Sequence, residues 1–153
     1  MKRPLFAAFA IATLLAVMTG PAWAVQPKPG IFTGGIPGAP AAGEGFFRVK
    51  NTPNGYAIVA ISSAAPLITV PSDWVCNEGH QAYIPLKKLV VKANGSFSWK
   101  GTVPIGPGSP APTDRTLTFK GSFDSRTEAT GTTRIVGDGC NSGTDAWTMT
   151  LER

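Results

Sequence analysis

Thr116-Leu117-Thr118-Phe119-Lys120-Gly121-Ser122-Phe123 is the stretch that decides the fold. Leu117, Phe119 and Phe123 occupy every second or fourth position, with Thr, Lys and Ser between them. Side chains alternate between the two faces of a strand, so this run presents an apolar inner face and a polar outer one. Working outward, Ser96 to Lys100 repeats the pattern: Phe97 and Trp99 share one face, and Ser96, Ser98 and Lys100 the other. Ala129 to Val136 reads as the next strand, and Ala146 to Leu151 as the last, with Trp147, Met149 and Leu151 inward. Upstream, Phe47 and Val49 alternate with Arg48 and Lys50. Tyr56 to Ser62 is expected to return as their partner, across a type I′ turn at Asn54-Gly55. Asn94-Gly95, after Leu86 to Ala93, signals a second hairpin into Ser96 to Lys100.

Composition points the same way. Beyond residue 24 the chain holds 9 Val, 8 Ile and 14 Thr but 5 Leu and 1 Met. Branching at Cβ suits a pleated strand and restricts χ1 in a helix. Gly (18) and Pro (14) punctuate the chain at turn-like intervals. Leu67 to Val70 and Asp73 to Cys76 read as short extended pieces broken by Pro66 and Pro71, and Gly101 to Asp114 as a long surface loop. The expectation is an all-β fold of seven to nine strands: an antiparallel two-sheet β-sandwich, immunoglobulin-like or jelly-roll-like. A closed β-barrel is the alternative.

The N-terminus carries an export signature. Lys2 and Arg3 precede an apolar stretch from Leu5 to Met18, and Ala22-Trp23-Ala24 is a small-x-small cleavage site. The apolar stretch is short of the roughly 20 residues a membrane-spanning helix needs. Residues 1–24 are therefore expected to be a signal peptide, cleaved after Ala24. Residues 25–45 form a Gly/Pro-rich segment, with Gly30 to Gly34 as a possible first strand, and residues 46–153 form the β-domain. The expected location is secreted or periplasmic. Cleavage lowers the formal net charge from +5 to about +3. That balance, with scattered basic residues, does not suggest nucleic acid.

Two cysteines remain, Cys76 and Cys140. An even count in an exported chain reads as a disulfide, and two cysteines allow one intramolecular pairing. Closing a loop of about 65 residues would contribute roughly 4 kcal/mol in the chain-entropy model.

Several motifs recur together: Asn94-Gly95-Ser96-Phe97-Ser98, Thr116 to Phe123, Ala129-Thr130-Gly131-Thr132, Gly139-Cys140-Asn141-Ser142-Gly143 and Trp147-Thr148. In this order the chain resembles a group of small exported bacterial β-sandwich proteins that end in a GxFxG…ATGT…C[DN]SG…W[ST] pattern. Gly30 to Gly34 and Cys76 fit the same layout. The resemblance implies fold and export, and no activity or site residue is inherited through it.

Candidates for chemistry are few. His80 is the only histidine, in a polar loop, and no Gly-x-Ser-x-Gly elbow accompanies it. Glycoside hydrolysis would need two carboxylates flanking one bond, with Glu78, Asp124, Glu128, Asp138 and Asp145 as the choices. Asp138, Asn141 and Asp145 gather oxygen donors suited to calcium, although Asp, Asn, Ser and Gly are equally what a turn requires. Period-2 placement assigns Trp99 and Trp147 to the core, and Trp74 to the surroundings of Cys76. Tyr56, Tyr83 and Phe46 are the better candidates for exposed sugar-stacking rings. The sequence reading is thus a non-catalytic exported interaction or structural module without a cofactor, whose partner would be a cell-envelope polymer or a protein. A small carbohydrate-binding protein is the alternative, and a small glycan hydrolase a third.

Overall fold

The computed structural model describes residues 25–39, 43–62, 67–73, 76, 82–104 and 112–153. The expected signal peptide and its cleavage point after Ala24, together with Trp74, Glu78 and His80, lie outside the described residues.

Among the described residues eleven strands form: β1 (Gly30–Gly35), β2 (Glu44–Thr52), β3 (Gly55–Val59), β4 (Ile68–Val70), β5 (Ala82–Ile84), β6 (Lys88–Val90), β7 (Ser96–Pro104), β8 (Pro112–Phe123), β9 (Glu128–Gly137), β10 (Cys140–Asn141) and β11 (Asp145–Leu151). No described helix is long and apolar enough to cross a membrane. The all-β antiparallel architecture is as expected. The count exceeds seven to nine because several pieces are only two or three residues long.

The strands are hydrogen-bonded into one continuous sheet in the order β5-β4-β2-β1-β11-β9-β8-β7, with β3 joining β2 to β6 and β10 on β9. The sheet rolls until β5 and β6 stand beside β7, leaving it nearly closed. Two facing layers therefore come from one ladder, close to the barrel alternative. β1 lies between β2 and β11, so the Gly/Pro-rich segment supplies a central strand.

The inner face is aromatic. Phe32 and Phe47, from β1 and β2, stack at 5.8 Å. They meet Phe123 at 5.4 Å and Phe97 at 6.2 Å across the roll. Trp147 stacks on Phe119 at 5.1 Å. Each such ring, fully buried, contributes about 1.5–3 kcal/mol relative to exposure. Trp147 lies over the paired glycines Gly121 and Gly131. A Cβ on Gly131 would collide with the Lys120 carbonyl and the indole, so the absence of a side chain there is what admits the tryptophan.

Three local expectations need correction. At the β2–β3 turn Thr52 pairs with Gly55, so the loop residues are Pro53 and Asn54. Gly55 has φ 108°, whereas Asn54 has no positive φ, and the turn is not type I′. Pro53 holds φ near −65°, which favours a type I turn followed by a left-handed glycine. Asn94-Gly95 does make a turn, with the Gly95 amide donating to the Lys92 carbonyl at 2.9 Å. It does not make a two-strand hairpin: β6 pairs with β3, and β7 with β8. Val91 is buried and its amide donates to Tyr56, which draws this segment to the opposite layer. Finally, β7 continues through Gly101 to Pro104, because Val103 is buried and Thr102 pairs with Thr116.

Cys76 and Cys140 are disulfide-bonded, with Cα atoms 5.6 Å apart. Buried Arg115 donates to the Cys76 carbonyl at 2.5 Å and pairs with Asp138 at 3.4 Å. This brace fastens the start of β8 and the end of β9 to the cross-link.

Candidate functional site

The outer face of β7, β8 and β9 carries one three-residue motif three times: Ser98-Trp99-Lys100, Thr118-Phe119-Lys120 and Thr132-Thr133-Arg134. Each is hydroxyl, inward residue, cation. Because the strands are antiparallel, the register turns the repeat into a checkerboard. One row reads Ser98, Lys120, Thr132, and the next reads Lys100, Thr118, Arg134. Like charges directly opposite one another destabilise a sheet. Here every cation faces a hydroxyl, and the three charges sit on diagonals about 7–8 Å apart or two strands apart. All three cations are exposed.

The three cations line a single shallow hollow of about 470 Å³, together with Ser98, Trp99, Thr118, Thr132 and Thr144. Among the described residues no carboxylate lines it. Arg134 is partly oriented by the Asn141 side-chain oxygen, at 3.4 Å. Lys100, Thr118 and Arg134 also line an adjoining hollow of about 320 Å³ with Thr116 and Val136. The result is a wet, hydroxyl-floored cationic surface. Such a surface attracts anions and offers hydrogen-bond donors.

The residues singled out from the sequence are placed elsewhere. Asp138, Asn141 and Asp145, the calcium candidates, each engage different groups. Asp138 turns to Arg115. Asn141 accepts from Arg134 and from the Gly143 amide. Asp145 lies close to Ser142 and to the Asp73 carboxylate. Among the described residues no three His, Cys, Asp or Glu gather closely enough to hold a metal ion. Asp124 accepts from Thr130 at 2.5 Å, at the β8–β9 turn beside Glu128. The ten residues of β9 separate that end from Asp138 by about 30 Å, too far for shared acid–base work.

One carboxylate neighbour escaped the sequence reading. Asp73 stands near Asp145, whose carboxyl is raised above its ordinary value by burial first and by the Asp73 charge second, with Ser142 opposing. Asp73 is tied to the Cys76 amide at 2.6 Å. Neither acid lines the cationic hollow. Among the described residues Asp145 Oδ2, Thr133 Oγ1 and Trp147 Nε1 are buried without hydrogen-bond partners, on inward positions of β9 and β11. That inward row is polar where its neighbours are aromatic.

Trp147 is 1 % exposed, as period-2 placement requires, and Trp99 is half-buried against Gly101 and the core. The three aromatic candidates do not assemble into a platform. Phe46 and Tyr83 flank Thr69 on one row. Tyr56 packs against the core and lines a separate hollow of about 250 Å³ with Gln26, Pro27, Asn54 and Lys92.

No family model, curated protein or solved structure matches this chain.

Proposed function

We propose that the protein is an exported, non-catalytic binding module that holds an anionic polymer of the cell envelope against the outer face of β7, β8 and β9. The observation that carries this reading is the checkerboard. Lys100, Lys120 and Arg134 ring Thr118 on one open face, with hydroxyls between them and, among the described residues, no carboxylate in the hollow. Unopposed cations on one surface raise the local concentration of anions and steer them in. Export is supported by the Lys2-Arg3, apolar, Ala22-Trp23-Ala24 sequence, and the disulfide is compatible with an oxidising compartment. The resemblance to small exported β-sandwich proteins agrees with both.

A second reading, a small carbohydrate-binding protein, is favoured by the Tyr56 hollow, where one ring meets two amide side chains and a lysine. It would place the ligand at the opposite layer.

The test is binding of the secreted protein to immobilised polyanions and neutral glycans at low and high salt. The wild type is expected to bind polyanions and to be displaced by salt, and a Lys100→Gln/Lys120→Gln/Arg134→Gln variant to lose binding. Unchanged binding by that variant, or binding to neutral glycans alone, contradicts the proposal. N-terminal sequencing of the exported protein is expected to begin at Val25.

A further inference from the structure

A second outer face carries cations in a different setting. Phe47 and Phe97 meet across the core at 6.2 Å, so their sequence neighbours Arg48 on β2 and Ser98 on β7 point away from the molecule in opposite directions. The register of β1, β2, β3 and β6 lays this face out. One row reads Ile31, Arg48, Val59, Lys88, and the next reads Lys50, Ala57, Val90. The row between them, Val49, Ile58 and Leu89, is buried, which fixes the other two as outward. Among the described residues Arg48, Lys50 and Lys88 are in no ion pair.

On β7–β9 hydroxyls separate the cations, whereas here aliphatic side chains do. Val59 stands directly between Arg48 and Lys88. Val90, two positions beyond Lys88, is 55 % exposed, more than any other large apolar side chain among the described residues. Half-buried Phe46 occupies the outward position before Arg48 and extends the apolar part. Two carboxylates bound the patch. Glu44 is four positions from Arg48 on β2, about 13 Å away. Glu152, whose amide donates to the Ile31 carbonyl, is two strands from Arg48, about 10 Å away. A hydrated acidic polymer gains nothing from Val59 and Val90. A bilayer surface takes both groups at once, cations at its anionic headgroups and apolar side chains at the edge of its acyl layer.

We infer that the outer face of β2, β3 and β6 docks peripherally on an anionic lipid surface. Arg48, Lys50 and Lys88 meet the headgroup phosphates, and Val90 meets the boundary of the acyl layer. The inference goes beyond the polymer-binding reading and does not rest on it. With both faces occupied, the protein holds an anionic polymer against a membrane.

The experiment is co-sedimentation of the secreted protein with vesicles of phosphatidylcholine, alone or mixed equally with phosphatidylglycerol. Each cation near an anionic surface is worth about fivefold in partition, so the wild type is expected to prefer the anionic vesicles about 10²-fold. Lys50→Gln/Lys88→Gln, at fully exposed positions, is expected to weaken that binding about 30-fold with an unchanged thermal midpoint. Val90→Ser is expected to weaken vesicle binding about fivefold and to leave binding of soluble polyphosphate unchanged. Lys100→Gln/Lys120→Gln/Arg134→Gln is expected to retain most vesicle binding. Equal binding to both vesicles, loss confined to the Lys100/Lys120/Arg134 variant, or vesicle binding indifferent to Val90→Ser overturns this inference. None of these results bears on polymer binding to β7–β9, which its own assay decides.

Discussion

Phe119 and Lys120 are neighbours in the chain and belong to different worlds. Phe119 is 0 % exposed and stacks on Trp147, whereas Lys120 stands in solvent over the cationic hollow. The same holds along β7 and β9, where Phe97 and Ile135 point inward and Ser98, Lys100 and Arg134 outward. One face of these three strands carries stability, and the other is the proposed ligand face. The division follows from the two-residue period of a strand, which lets the faces vary separately. The inner face is intolerant because rings and glycines interlock. The outer face is permissive, so a concentration of one charge sign there reads as function.

The largest effect expected from breaking this division is on the inner side. Phe119→Ala should cost about 3–5 kcal/mol by denaturant unfolding. Lys120→Ala should cost less than about 0.5 kcal/mol. Polyanion affinity per folded molecule should show the reverse order, and a Lys120→Ala variant that unfolds like Phe119→Ala would dissolve the comparison. Next comes Gly131→Ala, which drives a methyl into the Lys120 carbonyl and the Trp147 indole. Overpacking of this kind costs about 1–3 kcal/mol, readable as a lower thermal midpoint. An unchanged midpoint would mean that the indole does not seat on the glycine pair.

The smallest effect sharpens the boundary at the polar end of the inner face. Asp145 has its folded value raised above the ordinary 3.8 by burial and by Asp73. The folded state therefore holds the proton more tightly than the unfolded one. The stability this contributes is full below the unfolded value and is lost as pH rises through the folded one. Asp145→Asn removes the ionisation, so it should raise the thermal midpoint modestly at neutral pH and leave it unchanged below the unfolded value. A variant that is equally stabilised at both pH values would point to packing instead of charge.

Much of the fold was legible because the period-2 signal in Thr116 to Phe123, Phe97 and Trp99, and Trp147 to Leu151 is undiluted, and those strands are where it placed them. Two cysteines in a chain with an export signature pointed to the Cys76–Cys140 pair, which is bonded. Sheet continuity was not legible, because β6 leaving for β3 depends on Val91 finding Tyr56, a contact between distant segments. The turn at Pro53 was legible in principle, since a proline inside the loop fixes one φ and moves the Asn-Gly pair one position along the turn. The site was written in the sequence as hydroxyl-x-cation, three times over. Its meaning needed the register, since only antiparallel pairing sets Lys100, Lys120 and Arg134 around one threonine. The Asp73–Asp145 approach joins residues too far apart in the chain for any motif to reveal.

The central claim is that the ligand lies on the hydroxyl-and-cation face of β7–β9. Its most direct test is an amide chemical-shift map of the folded protein titrated with an acidic oligosaccharide. The expected shifts fall on Ser98, Lys100, Thr116, Thr118, Lys120, Thr132, Arg134 and Val136, and they saturate together. Shifts confined to Gln26, Asn54, Tyr56 and Lys92, or none anywhere, would contradict the account.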